Sequence, residues 1–125
     1  NHKCPLWFGP GSPLGVYDAL TANWWGMVWI NPPYGTQVGR FVAKAHREVR
    51  AGRCTVVALV PARTDTAWWH DHVMAAGEIR LLRGRLQFVG APHPAPFPSA
   101  IVIWRPGDTE GSLPRVVAWD WQRRR

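Results

Sequence analysis

An α/β domain is the fold class this sequence predicts, and three observations predict it. Two short apolar, β-favouring runs occur at residues 27–30 and 55–60, an amphipathic stretch joins them, and turn-forming residues punctuate each junction. Strand, helix, strand in that order is the crossover unit of a parallel sheet. The expected architecture is a mostly parallel sheet with helices on its faces and an antiparallel portion near the carboxyl end. With 125 residues and no internal repeat, the chain reads as one domain over residues 1–125.

Each element has its own justification. Residues 1–15 hold Pro5, Gly9, Pro10, Gly11, Pro13 and Gly15, too many turn formers for a regular element. Residues 16–25 carry Val16, Ala19, Leu20 and Trp24 at helical spacing, which predicts a short helix or turn. The run 27–30 is brief and lacks alternation, as in a strand covered on both faces. Over residues 37–51, Val38, Phe41, Val42, Ala45 and Val49 form one helical stripe, with Arg40, Lys44, Arg47, Glu48 and Arg50 largely opposite and Gly52 closing the helix. Residues 55–60 form the next strand, stopped by Pro61. Thr66 or Asp65 is placed to cap a helix over 67–76 that ends at Gly77. Residues 78–82 and 85–89 flank Arg83-Gly84 as a pair of short strands. Pro92, Pro94, Pro96 and Pro98 make 90–99 an extended loop. Residues 100–104 and 116–121 are the last strands, before the tail Arg123-Arg124-Arg125.

Composition narrows the functional classes. Lys and Arg number 15 against 8 Asp and Glu, a net charge of +7, which suits a polyanionic partner such as nucleic acid. The apolar runs are too short to span a bilayer, and the opening residues carry no signal-peptide pattern, so no membrane is expected. Cys4 and Cys54 stand apart in no metal-type spacing, which argues against a zinc site or a disulfide scaffold and fits a reducing cytoplasm. His70 and His72 lie on different faces of a helix, so no metal is expected there. Of the nine Trp, most are expected in the core and some as contact surfaces.

The chemistry concentrates where the first strand ends, at Asn31-Pro32-Pro33-Tyr34. Open α/β sheets hold ligands at the carboxyl ends of their strands. Asn31 offers an amide oxygen, Pro32 and Pro33 stiffen the backbone so that their carbonyls point outward, and Tyr34 supplies a flat ring. Two acceptors can take the two hydrogens of an exocyclic amine while the ring stacks on its heterocycle. At the end of the second strand, Arg63 suits a phosphate, and Asp65 suits either a cap or the orientation of Arg63. Trp68 and Trp69 diverge by about a hundred degrees on a helix, so one of them, assigned as Trp69, is expected to face substrate. Arg80, Arg83 and Arg85 form a basic cluster that suits phosphates or, by default, a solvated face.

Asn-Pro-Pro-Tyr after an apolar strand resembles the catalytic motif of amino-group methyltransferases that use S-adenosylmethionine. The strings Pro61-Ala62-Arg63-Thr64-Asp65-Thr66-Ala67-Trp68-Trp69-His70, Gly84-Arg85-Leu86-Gln87-Phe88 and Ala95-Pro96-Phe97-Pro98-Ser99-Ala100 resemble the small phage and prophage-type adenine-specific DNA methyltransferases, the phage Dam-like family. The resemblance runs from before Trp24 to about Arg105. It implies a Rossmann-like methyltransferase sheet and methyl transfer to the N6 amine of adenine in DNA, in the cytoplasm of a bacterial or phage-infected cell. It also implies catalytic roles for Asn31, Pro32, Pro33 and Tyr34, with Asn31 and Pro32 bordering S-adenosylmethionine. DNA contacts fall to Arg63, Asp65, Trp69, Arg83 and Arg85.

One departure counts. Family members carry an upstream strand with an acidic and small-residue motif for the cofactor, and this sequence shows none, so it is expected to be either the carboxyl-terminal part of such a domain, incomplete at its amino terminus, or a degenerate copy whose cofactor site is incomplete. Weak or absent cofactor binding by this chain alone is the expectation. The alternatives are a basic DNA-binding remnant without catalysis, or a methyltransferase acting on RNA or on protein glutamine.

Overall fold

The structure, a computed structural model, describes residues 19–108 and 112–122. The turn-rich opening at residues 1–15 and the arginine tail both lie outside the described residues. Five strands form one mixed sheet in the order β1-β2-β4-β3-β5: β1 (Gly26–Ile30), β2 (Cys54–Pro61), β3 (Glu78–Leu82), β4 (Ser99–Trp104) and β5 (Arg115–Trp119). β1 with β2 and β3 with β5 are parallel pairs, while β4 lies antiparallel to both β2 and β3. Four strands therefore run one way, and the single reversed strand is central. The antiparallel portion expected at the carboxyl end comes from β4, and the last strand, β5, pairs in parallel.

Helix α1 (Val38–Arg50) links β1 to β2 as the periodicity predicts. Val38, Val42, Ala45 and Val49 are buried, each valine worth roughly 1.5 to 3 kcal/mol relative to an exposed position. Gly39 lies inside this helix because a Cβ there would meet Trp68 Cδ1 at 3.1 Å. Gly52, at φ +80°, ends it in the left-handed region, and its N–H donates to the Val49 carbonyl at 2.9 Å.

The strand registers divide the sheet into two faces. Val28, Ile30, Val56, Ala58, Val60, Ala100, Val102 and Ile79 point to one side and share a core with α1, Trp69 and Val73. Among the described residues, the helical segments cover only this face. The expectation of helices on both faces thus holds for one.

Residues 19–21 form a turn, one of the two alternatives expected for 16–25, while 16–18 lie outside the described residues. Three further expectations change. β1 is an edge strand, with Met27 72% and Trp29 50% exposed, so it is not covered on both faces; its lack of alternation reflects an uncovered apolar row. The helix expected over 67–76 is one short helical turn that widens into a π-helical segment, Trp69–Val73. There the Met74 N–H donates to the Trp69 carbonyl at 3.0 Å, an i to i+5 bond, and Thr66, the expected cap, accepts the Trp69 N–H at 3.3 Å. Residues 85–88 are irregular, because β3 finds its partners in β4 and β5 and leaves no strand for them to pair with.

Candidate active site at the carboxyl ends of the strands

The topology gathers the motifs at one end of the sheet. β1 ends at Ile30, β2 at Pro61, β3 at Leu82 and β5 at Trp119, and the reversed β4 begins there with Ser99 opposite Pro61. Asn31 to Tyr34, Arg63, Asp65, Arg83, Arg85 and the proline-rich loop therefore share an end, although they lie far apart in sequence. Neighbouring strands are about 4.8 Å apart, so the frame from β1 to β3 spans roughly 15 Å, about two phosphate steps of a nucleic-acid strand.

Asn31 is exposed, and its amide has no hydrogen-bond partner among the described residues. Pro32 is buried and anchors the turn, and Gly35 at φ +94° turns the chain toward α1, a conformation that side chains resist. Tyr34 is 38% exposed and sits among rings from the other motifs. Phe97 meets it edge-on, with centroids 5.0 Å apart and planes at 76°, and Phe88 lies at 5.8 Å and 57°. Partial burial pushes the Tyr34 phenol up, so it stays protonated at neutral pH. The Arg63 guanidinium lies 5.3 Å from the Phe97 ring centroid.

The backbone around these rings is tied down. The Ala62 N–H donates to the Pro98 carbonyl at 2.8 Å, and the Ala95 N–H donates to the Leu86 carbonyl at 2.7 Å. The Ser99 hydroxyl at the same end is 2% exposed and has no hydrogen-bond partner. Sequence reasoning does not find Phe88, Phe97 or Ser99. They lie within strings that mark the family, yet nothing local shows that an apolar ring in a proline loop will touch Tyr34.

The other site expectations divide. Arg63, Asp65, Arg83 and Arg85 are all exposed. Arg63 forms no ion pair with Asp65, and the cap is made by Thr66, so neither role expected for Asp65 is realised. Arg83 makes a loose pair with Asp120 at 3.4 Å. Arg80 leaves the expected basic cluster, since Glu78 binds it and its guanidinium lies 5.5 Å from the Trp119 ring. Trp69 is 5% exposed and belongs to the core, so it is no nucleic-acid contact; Trp68 is half-buried against it. The expected bias of tryptophan to the core also fails among the described residues: Trp24, Trp69 and Trp104 are buried, but Trp25, Trp29, Trp119 and Trp121 are exposed on or beside the two edge strands.

A cleft of about 320 Å3 lies at the opposite end of the sheet, lined by His46, Arg50, Trp104, Arg105 and Asp108 among others, and does not border Asn31 or Tyr34. Among the described residues no three His, Cys, Asp or Glu side chains converge as metal ligands, and no helix is long and apolar enough to cross a membrane.

A basic α/β domain that carries an acceptor-rich turn at a strand end has the parts of a nucleic-acid-modifying transferase. A family model described as DNA N-6-adenine-methyltransferase (Dam) matches residues 11–120, nearly the whole chain, and the chain belongs to that family. No curated protein and no solved structure matches it.

Proposed function

We propose that this single α/β domain, a Rossmann-like methyltransferase sheet, transfers a methyl group from S-adenosylmethionine to the N6 amine of an adenine swung out of duplex DNA. The observation that carries this reading is the exposed Asn31 amide, without a partner among the described residues, three positions before Tyr34 at a strand end, in a chain of this family. When bound, S-adenosylmethionine supplies an electrophilic methyl group.

Asn31 Oδ1 and the Pro32 carbonyl accept the two amine hydrogens, which orients the nitrogen lone pair and raises its electron density. Pro33 restricts the backbone so that this pair keeps its spacing. Tyr34 stacks on the adenine, and both neighbouring rings are inclined to it, so neither is a parallel stacking partner. Arg63, Arg83 and Arg85 neutralise phosphates along the strand ends. Asp65, exposed and in no ion pair among the described residues, suits an amine on a base edge better than a phosphate.

The fit to the donor is partial. Asn31 and Pro32 suit its reacting end, and the buried Ser99 hydroxyl adds an orphan polar atom nearby. The buried carboxylates Glu48 and Glu78 lie toward the opposite end, beside the starts of β2 and β3, so neither can take ribose hydroxyls here.

Buried Cys54 is a free thiol, and burial pushes its pKa up, which leaves it unreactive and suits a reducing cytoplasm. The test is to express the protein in cells lacking adenine methylation and to analyse DNA, RNA and protein hydrolysates by mass spectrometry. N6-methyladenine in DNA is the expected product. Methyl groups only in RNA or on glutamine would replace the acceptor, and none anywhere would leave a DNA-binding remnant.

A further inference from the structure

The Phe97 ring touches two groups with different tasks. It meets Tyr34 edge-on at 5.0 Å, and the Arg63 guanidinium lies 5.3 Å from its centroid. Tyr34 follows β1 and Arg63 follows β2, and this ring is what joins the two side chains at this end of the sheet. Phe97 itself is held between two backbone anchors, Ala95 to Leu86 and Pro98 to Ala62, with Pro96 and Pro98 restricting the chain on either side. It is half-buried, too exposed for a core residue and too well tied for a free loop side chain.

We propose that Phe97 is a positioning residue that sets the Tyr34 ring and the Arg63 guanidinium together, so that gripping the phosphate backbone and receiving the base are coupled through one aromatic ring. This rests on the reading of Tyr34 as the stacking residue. An edge-on neighbour fixes a ring's plane without competing for the base as a parallel partner would. A cation held against a ring face keeps its charge while losing rotational freedom, so Arg63 is presented to a phosphate already oriented. Phe88, inclined on the same tyrosine, is the lesser support because it touches only one of the two groups.

The experiment compares Phe97→Ala, Phe97→Leu and Phe97→Tyr with the unaltered protein. Three quantities are read: kcat and KM for methyl transfer to DNA, the dependence of DNA affinity on salt, and the NMR signals of labelled tyrosine, of which the chain has only two. Phe97→Ala and Phe97→Leu are expected to lower kcat roughly fivefold to tenfold, the scale of one aromatic pair. They should flatten the log–log salt slope by about 0.9, the share of one phosphate. Phe97→Tyr should keep both, and the Tyr34 signals should move in the first two variants only. Phe97→Leu retains apolar bulk, so it decides the matter even where Phe97→Ala does not fold. A folded Phe97→Leu protein with unchanged kcat, unchanged salt slope and a lowered Tm would overturn the proposal and leave a merely structural ring. If the unaltered protein methylates no DNA, while the salt slope and Tyr34 signals still change together, the coupling stands and the adenine reading falls.

Discussion

The two ends of the sheet differ in how they treat the polar side chains of their principal motifs, Glu48 at one and Asn31 at the other. At the end where β1 and β2 begin, Glu48 is 2% exposed and fully engaged: it accepts the Trp24 N–H at 2.8 Å, pairs with Lys44 at 3.4 Å and binds Arg53, whose Nε is nevertheless buried without a hydrogen bond. At the end where those strands finish, Ser99 keeps an unbonded hydroxyl, and among the described residues Asn31 has no partner and Arg63 and Asp65 stand exposed without ion pairs. A buried charge left alone costs several kcal/mol, so the first end is built for stability. The second end leaves Asn31, Arg63 and Asp65 without such partners among the described residues, which suits the ligand contact proposed for it.

Breaking the Glu48 network should have the largest effect. Glu48→Ala strands Lys44 and Arg53 and is expected to cost about 3 to 5 kcal/mol, read as a lower midpoint in urea. Burial alone would raise the Glu48 pKa, but the Trp24 N–H, Arg53 and Lys44 outweigh it and hold the carboxyl below its ordinary 4.5. The folded form therefore binds the proton less readily than the unfolded one. The network's contribution is complete above pH 4.5 and lost as pH falls through the lowered value, so acid titration should show a stability loss that Glu48→Gln abolishes.

At the contact end, effects should fall on function. Tyr34→Ala is expected to lose about 1 to 3 kcal/mol of base stacking, seen as reduced kcat/KM, whereas Tyr34→Phe keeps the ring and should be mild. Replacing Arg83 and Arg85 together by Ala should flatten the salt dependence of DNA binding by up to about two phosphate shares. An unchanged slope would mark them as a solvated face. Thermal stability should stay within about 0.5 kcal/mol in the arginine variant, since these side chains are exposed.

Local features were legible and assembly was less so. Helix α1 and strands β2, β3 and β4 follow from periodicity and turn residues nearly to the residue, because each pattern is long or bounded by Gly or Pro. The motif Asn31 to Tyr34 stands out in the sequence because two prolines end an apolar strand there, and the structure places it at a strand end as that reading expects; its role as a site is the proposal. The π-helical turn at Trp69 was hidden: an i to i+5 bond has no sequence signature that sets it apart from a helix, and with it went the prediction that Trp69 faces substrate. The edge position of β1 depends on which strands pair with it, which no local run encodes. Phe97 became visible only once β4 was found reversed in the sheet centre, since that reversal delivers the proline loop to the motif.

Everything proposed for the contact end depends on its free acceptor holding the adenine amine. Turnover of Asn31→Ala, measured beside its DNA affinity in protein that methylates DNA, tests this without an intermediary. The expected outcome is a fall in kcat on the order of a hundredfold with an almost unchanged Kd, as for a group that acts only as charge shifts in the transition state. Near-normal turnover by Asn31→Ala would contradict that role and move the chemistry away from this strand end.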